Sequence, residues 1–424
     1  MHSTLALIIF CLTYALIISE KFHRTVVALL GGMILVAAGV LAQETAIEHI
    51  DWNTLGLLVG MMIVVGITRR TGVFQYLGLL AVRFAKGEPI RILIALASVT
   101  ALLSALLDNV TTVLLIVPIT FTICDKLNLN PVPFLLSQIF ASNIGGTSTL
   151  IGDPPNIMIG SQTHLGFVDF AVNLVPVILV IFIATMSVFY VLYKKKLNVN
   201  EDLKKSLIEL NPVDQIKDYG LLKKCMVILI LILGGFILHQ SLNMESATVA
   251  LTGAAILMFI TREEPEEILL SVEWPTIFFF IGLFILVGGL VETGWINSLA
   301  QWAFNVTEGN FKLTAMLILW LSAIASAFVD NIPFTATMIP LIHQMGNLGG
   351  ISQEGLEPLW WALSLGACLG GNGTLIGASA NVIVAGLAEK NGIPIKFIQF
   401  MKLAFPLMLL SIVISSIYLL VFYL

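Results

Sequence analysis

Long apolar runs separated by short polar ones occupy almost the whole chain. A membrane-spanning helix needs about 20 apolar residues. Runs of that kind fall near 4–20, 24–42, 53–70, 171–193, 224–241, 246–261, 275–303 and 397–424. The run at 53–70 continues towards residue 86 as an interfacial helix. Two further apolar segments are interrupted at their centres by polar Asp-Asn pairs, 91–123 by Asp108-Asn109 and 313–345 by Asp330-Asn331. Another two, 133–163 and 359–389, contain the strings GGTSTLIGDPPN and GGNGTLIGASAN. The pattern predicts an all-α polytopic membrane protein. If 91–123 and 313–345 turn back as re-entrant hairpins, about ten helices cross.

The charges favour that count. The only long polar stretch, 194–223, reads as a cytoplasmic linker. With it inside, Lys21, Arg24, Arg69, Arg70, Arg83, Lys86, Arg91 and Lys126 also fall inside. So do the eight Lys between 194 and 224, and Arg262, Lys390, Lys396 and Lys402, leaving only Lys312 outside. Cytoplasmic loops carry the excess of Lys and Arg, and counting either hairpin as one full span would scramble the separation. Both termini are then extracytoplasmic and the protein is expected in the cell membrane. The N-terminus lacks a basic n-region and a small-residue cleavage site, so it reads as a retained span.

Composition excludes other classes. Of 424 residues, 58% are hydrophobic and 11% charged, against about 45–50% and 25% in soluble domains. Nucleic-acid binding, secretion and ordinary cytosolic catalysis fall away. Cys11, Cys124, Cys225 and Cys368 form no CxxC pair, so neither a disulfide framework nor a zinc site is indicated. No cofactor beyond a coupling Na+ or H+ is expected, and the six histidines all lie near membrane edges. The run EEPEE (263–267) reads as a solvated loop.

The two halves of the chain are copies. Residues 24–118 align on 246–340 at a constant offset of 222, pairing DWNTLGLLVG with EWPTIFFFIG and SALLDNVTTVLLIVP with SAFVDNIPFTATMIP. After a three-residue insertion, 145–156 aligns on 370–381, and further on FVDFAVNLVP aligns on FIQFMKLAFP. Five crossings separate residue 24 from residue 246, so the second copy is inverted. The organisation expected is a leading helix (1–23), repeat 1 (24–193), the linker (194–223), a transmembrane helix (224–245) and repeat 2 (246–424). Inverted repeats with discontinuous helices are the architecture of secondary transporters, whose site lies at the repeat interface near the midplane.

Non-helical backbone at membrane depth is tolerated only where protein buries it or water reaches it. Gly145, Gly146, Gly370 and Gly371 let the chain leave the helix and bring carbonyls and N–H groups close to a ligand. Asn143, Thr147, Thr149 and Asn156 add neutral oxygens in the first copy, and Asn372, Thr374, Ser379 and Asn381 in the second. Hard cations take oxygen ligands, so two pseudo-symmetric cation sites are one reading. Capping of broken helices by the same side chains is the other. Asp108 and Asp330, with Asn109, Thr111, Thr112, Asn331 and Thr335 beside them, lie inside apolar hairpins. A carboxylate there costs ~2.5–3.5 kcal/mol or more on insertion scales. Each either binds Na+, exchanges protons, or stays neutral and hydrogen-bonded. No Lys or Arg is expected at their depth, which leaves the pocket acidic. Asp153 has Ala378 as its repeat mate; it serves either the substrate or a helix cap.

LDNVTTVLL, SNIGGTSTLIGDPPN, DNIPFTATMIP and GACLGGNGTLIGASAN resemble the ion transporter superfamily over nearly the whole chain. That superfamily includes arsenite permeases, NhaD-type sodium/proton antiporters and divalent-anion/sodium symporters. The strings are similar to its melanosomal P protein branch. The resemblance implies a homodimer whose protomers each hold a scaffold and a mobile domain built from both hairpins and both broken helices, moving as an elevator. It also implies sodium at the hairpin tips, where the carboxylate symporters carry Ser-Asn-Thr. Here the tips read Asp108-Asn109-Val110 and Asp330-Asn331-Ile332. Asn109 and Asn331 carry over, and the departures weaken a di- or tricarboxylate assignment. The reading is a cation-coupled secondary transporter of a small inorganic ion or weak acid, arsenite efflux and sodium/proton exchange leading. An anion channel is the rival and an enzyme is not expected.

Overall fold

Helices are the only regular structure that lets each apolar run satisfy its own backbone in a bilayer. The computed structural model describes residues 2–19, 21–208, 211–262 and 264–424, and the described residues form helices joined by short loops, without strands. In the first half these are α1 (His2–Ile18), α2 (Arg24–Ala37), α3 (Gln43–Glu48), α4 (Trp52–Arg70), α5 (Val73–Phe84), α6 (Pro89–Leu106), α7 (Asn109–Leu127), α8 (Val132–Thr147), α9 (Pro154–Ser161) and α10 (Phe167–Tyr193). The linker holds α11 (Glu201–Ile208), and α12 (Tyr219–Leu238) follows it. The second half gives α13 (Ser246–Thr261), α14 (Pro265–Leu269), α15 (Trp274–Glu292), α16 (Trp295–Val306), α17 (Phe311–Phe328), α18 (Asn331–Gly349), α19 (Glu357–Gly370), α20 (Ser379–Lys390) and α21 (Phe397–Phe422). Eight of these, α4, α6, α7, α10, α12, α15, α17 and α21, are long and apolar enough to cross a membrane. The protein is a multi-pass integral membrane protein.

That count and the sequence expectation of about ten differ for a physical reason. Length and composition do not distinguish a crossing from one arm of a hairpin, and each half of a broken helix falls below spanning length. The run 275–303 is two helices instead of one span. α15 stops at Glu292, Gly294 takes a left-handed conformation (φ +79°), and α16 sets off in a new direction. Gly72 (φ +81°) makes the same turn between α4 and α5. The linker is not merely a polar stretch, since it contains α11 and α12 begins five residues before the expected 224. Glu263 of the EEPEE run and residues 209–210 of the linker lie outside the described residues, as do the side chains of 205–208.

Helices α15, α16, α17 and α18 each begin and end 222 residues after α4, α5, α6 and α7. The halves interlock, because α2 packs on α15 and α13 on α4. Polar contacts gather at two ends. At one, Arg70 meets Glu267, Lys204 meets Glu88, and the Lys217 N–H donates to the Thr71 carbonyl. At the other, His49 meets Glu292, His164 meets Glu357, and Asn53 accepts from the Ala247 N–H.

The hairpins and broken helices are fastened together in the same way twice. Ser104 donates to the Ser142 carbonyl and Ser326 to the Ala367 carbonyl. Thr149 donates to the Ala105 carbonyl and Thr374 to that of Ala327. Gly145 and Gly370 lie inside α8 and α19, not in the breaks where the sequence reading put them. A Cβ on Gly145 would sit 2.2 Å from the Ala101 carbonyl oxygen, and one on Gly370 2.5 Å from that of Ala323. They permit close backbone packing against the hairpin arms. Overpacking of this kind costs about 1–3 kcal/mol. Gly145→Ala and Gly370→Ala should therefore each lower the melting temperature of the purified protein. Gly386→Ala on α20, where nothing lies within 4 Å, should leave it unchanged; equal melting of all three would contradict the clamp.

Candidate functional site

The α6–α7 hairpin turns at Asp108 and the α17–α18 hairpin at Asp330, and each Asp caps the helix that follows. Asp108 accepts hydrogen bonds from both the backbone N–H (2.8 Å) and the hydroxyl of Thr111. Beside this tip is a cavity of about 20 Å3 whose lining includes Arg24, Asp108, Asn109, Asp153, Glu273, Thr276, Asn331 and Ser379. That is room for about one water-sized occupant.

Two oxygens at this cavity are buried without hydrogen-bond partners, Asn109 Oδ1 and Asp153 Oδ2. Native structures pair almost all such atoms, so the two are open to a water or a ligand, with the Cys368 thiol also against the Asp153 carboxylate. Asp153 Oδ1 accepts from Asn331 Nδ2 at 3.2 Å, and the Asp153 side chain makes no capping bond to α9. The capping alternative is therefore set aside. Instead Asp153, in the break between α8 and α9, is tied to the tip of the second hairpin.

Beneath the cavity the breaks are joined by amides. Asn109 donates to Asn143 Oδ1 (3.2 Å), and Asn143 Nδ2 donates to Asn372 Oδ1 (3.0 Å) and Asn381 Oδ1 (2.9 Å). Asn381 Nδ2 donates to the carbonyls of Gly371 and Thr374, and Asn156 Nδ2 does the same to Thr147 and Thr149. Asn156 Oδ1 accepts from Ser364 at 2.6 Å and from Cys368 at 3.6 Å. Thr147 and Thr335 donate to the carbonyls of Asn143 and Asn331, and the Thr112 hydroxyl is buried without a partner. Asn156 and Asn381 thus satisfy backbone that a broken helix exposes, and the other amides tie the two breaks to one another.

The expectation that no basic residue reaches this depth is wrong. Arg24 Nη1 lies 2.6 Å from Asp330 Oδ2 and 2.7 Å from Ser379 Oγ, and its guanidinium carbon is 5.0 Å from the Phe279 ring centre. Asp330 also accepts from Ser379 at 3.0 Å. It does not line the 20 Å3 cavity but faces a vestibule of about 340 Å3 walled by Phe22, His23, Arg24, Val329 and Ile383. A second vestibule, about 350 Å3, runs from Arg69 and Arg70 to Thr111 and Glu273. The positive-inside argument assigned Arg24 to the rim because it counts Cα positions, whereas a long side chain reaches inward from a helix end. Glu273 was also missed. It stood in the aligned string EWPT opposite Asp51, and only the fold brings it to the cavity.

Asn143 is the junction of the amide network. Truncating it strands Asn372 Oδ1 and Asn381 Oδ1, and each unsatisfied buried group costs about 1–3 kcal/mol. Asn143→Ala should lower the melting temperature clearly; wild-type stability would show that the network is not structural.

A model of the CitMHS family, described as citrate transporter, matches residues 14–366. An uncharacterized transporter of Mycobacterium tuberculosis is 45% identical over 421 residues, covering 98% of each chain. A 46 kDa membrane protein of Mycobacterium leprae is 41% identical with the same coverage. Human P protein is 34% identical over 502 aligned positions, which take in 99% of this chain and 60% of that one. Among solved structures, the Alcanivorax borkumensis YdaH transporter superposes with a TM-score of 0.60 at 15% identity, covering 89% of this chain and 87% of that one. Neisseria gonorrhoeae MtrF gives 0.62 at 11%, covering 99% and 94%. At such identities the two structures speak for the fold alone. The relatives of known sequence decide the family: the chain belongs to the CitMHS family of transporters, within the ion transporter superfamily.

Proposed function

We propose that the protein is a cation-coupled secondary transporter of a small inorganic ion or weak acid, driven by Na+ or H+. The observation that carries this reading is the acidic cavity. Asp108, Asp153 and Glu273 face a space of about 20 Å3 whose one basic lining residue, Arg24, is already paired with Asp330. Two unpartnered oxygens complete the donor set. Carboxylate and amide oxygens gathered in this way suit a small hard cation. They do not suit a bare polyanion, which would have to arrive with cations or displace Asp330 from Arg24.

The architecture supports the same reading. We take α6–α7 and α17–α18 as re-entrant hairpins, α8–α9 and α19–α20 as broken spans, and ten helices as crossing in two inverted repeats. Each hairpin is bonded to its own broken helix, and these four elements form the mobile half of an elevator in a homodimer. We take the end where Arg69, Arg70 and the linker lie as the cytoplasmic one, with both termini outside. Arsenite and sodium itself are the leading substrates. Citrate is a second reading, which the family description favours. An anion channel stays the rival class and would give large unitary conductance in place of saturable, trans-stimulated exchange.

Uptake of labelled sodium, arsenite and citrate into proteoliposomes, under imposed sodium or pH gradients, tests the reading. Saturable uptake of one of them that collapses with the gradient is expected. Charged hydrogen-bonded contacts are worth about 1.5–3 kcal/mol, so Asp108→Asn and Asp330→Asn should each slow transport by about tenfold or more without loss of folding. Removing polar residues within 198–215 should change the rate little. Wild-type rates in both Asp variants would refute the roles given to the hairpin tips.

A further inference from the structure

The two hairpin tips differ in a way that decides what each carboxylate can hold. Asp108 is followed by Asn-Val-Thr and Asp330 by Asn-Ile-Pro. At the first tip, the N–H and hydroxyl of Thr111 both donate to Asp108. Pro333 stands at the equivalent position and has neither group to offer. Asp330 receives only the Ile332 N–H, at 3.1 Å on Oδ1, and its Oδ2 is left to Arg24 (2.6 Å) and Ser379 (3.0 Å). The repeat position of Arg24 is Ser246, and among the described residues no Lys or Arg is ion-paired with Asp108.

We propose that Arg24 is a resident cation: its guanidinium fills the second of two repeat-related cation sites, at Asp330 and Ser379, and only the cavity at Asp108, Asn109 and Asp153 takes a mobile sodium ion. The inference rests on the cation-coupled reading above and fixes its stoichiometry at one sodium per protomer. The unpartnered oxygens, Asn109 Oδ1 and Asp153 Oδ2, both belong to the Asp108 side. On the Asp330 side, Oδ2 and the Ser379 hydroxyl are both already engaged by the guanidinium. A guanidinium at hydrogen-bond distance occupies the Asp330 oxygen and repels a second cation there, whereas at the Asp108 cavity, which Arg24 also lines, three carboxylates face the space. Access is not the obstacle, because the 340 Å3 vestibule reaches Arg24, Asp330 and Ser379 directly. Removing the guanidinium should therefore open the site to a hydrated ion.

Equilibrium binding of radioactive 22Na+ to the purified full-length protein in nanodiscs tests this. The wild type should bind one sodium per protomer, Arg24→Gln two, and Arg24→Lys one. The double variant Arg24→Gln/Asp330→Asn should return to one, which assigns the added ion to Asp330. Asp330→Asn alone should still bind one, a check that survives if Arg24→Gln proves unstable. Two sodium ions on the wild type would overturn the inference. So would a folded Arg24→Gln protein that binds one, or an Asp330→Asn protein that binds none. A wild type without saturable sodium also overturns it, while the gradient-driven uptake assay decides separately whether the cation-coupled reading stands.

Discussion

Ending a helix inside an apolar slab leaves N–H and carbonyl groups that water cannot reach. On the reading proposed above, this protein ends helices there at two hairpin tips and two breaks, and a set of buried polar side chains answers that constraint. Asp108 and Asp330 cap the helices that follow them. Asn156 and Asn381 each take up two carbonyls of their break. Ser104, Ser326, Thr149 and Thr374 bind each break to its hairpin through carbonyls that would otherwise be orphaned. Once the backbone is satisfied, the oxygens left over stand out. Asn109 Oδ1 and Asp153 Oδ2 are such atoms, and they meet at one small cavity.

Near-symmetry of the helices makes the chemical asymmetry informative. Four helices recur at the same offset with the same ends, yet the two tips sit in different electrostatic surroundings. A single exchange of Thr for Pro frees one oxygen of Asp330, and Arg24, 306 residues away in the chain, takes it. The same exchange on the other side would have removed both donors from Asp108. Asp153 adds a carboxylate where the second copy has Ala378. The result is one carboxylate neutralised by protein and a neighbouring cavity lined by three others.

Much of this was legible in the sequence, because apolar runs and their central breaks are local signals. The hairpin arms lie within a few residues of the ends read from hydropathy, and Asp108 and Asp330 stand at the tips. What was illegible depended on long-range packing. Arg24 follows Lys21 and His23 at a helix start and looks like any cytoplasmic anchor; its reach to Asp330 exists only because α2 packs on α15. Glu273 looks like an interfacial residue before Trp274, and the fold alone turns it to the cavity. The glycines misled for a related reason. Gly145 and Gly370 sit in strings that resemble breaks, but their role is set by a hairpin carbonyl 2.2–2.5 Å from where a Cβ would be.

Charge movement after cation concentration jumps, recorded from proteoliposomes on a solid-supported membrane, tests the acidic cavity most directly, since it needs no knowledge of the transported solute. The account predicts a saturable, sodium- or proton-dependent transient in the wild type that is lost in Asp108→Asn. A folded wild-type protein that moves no charge on either jump, or an Asp108→Asn protein that responds like the wild type, would contradict it.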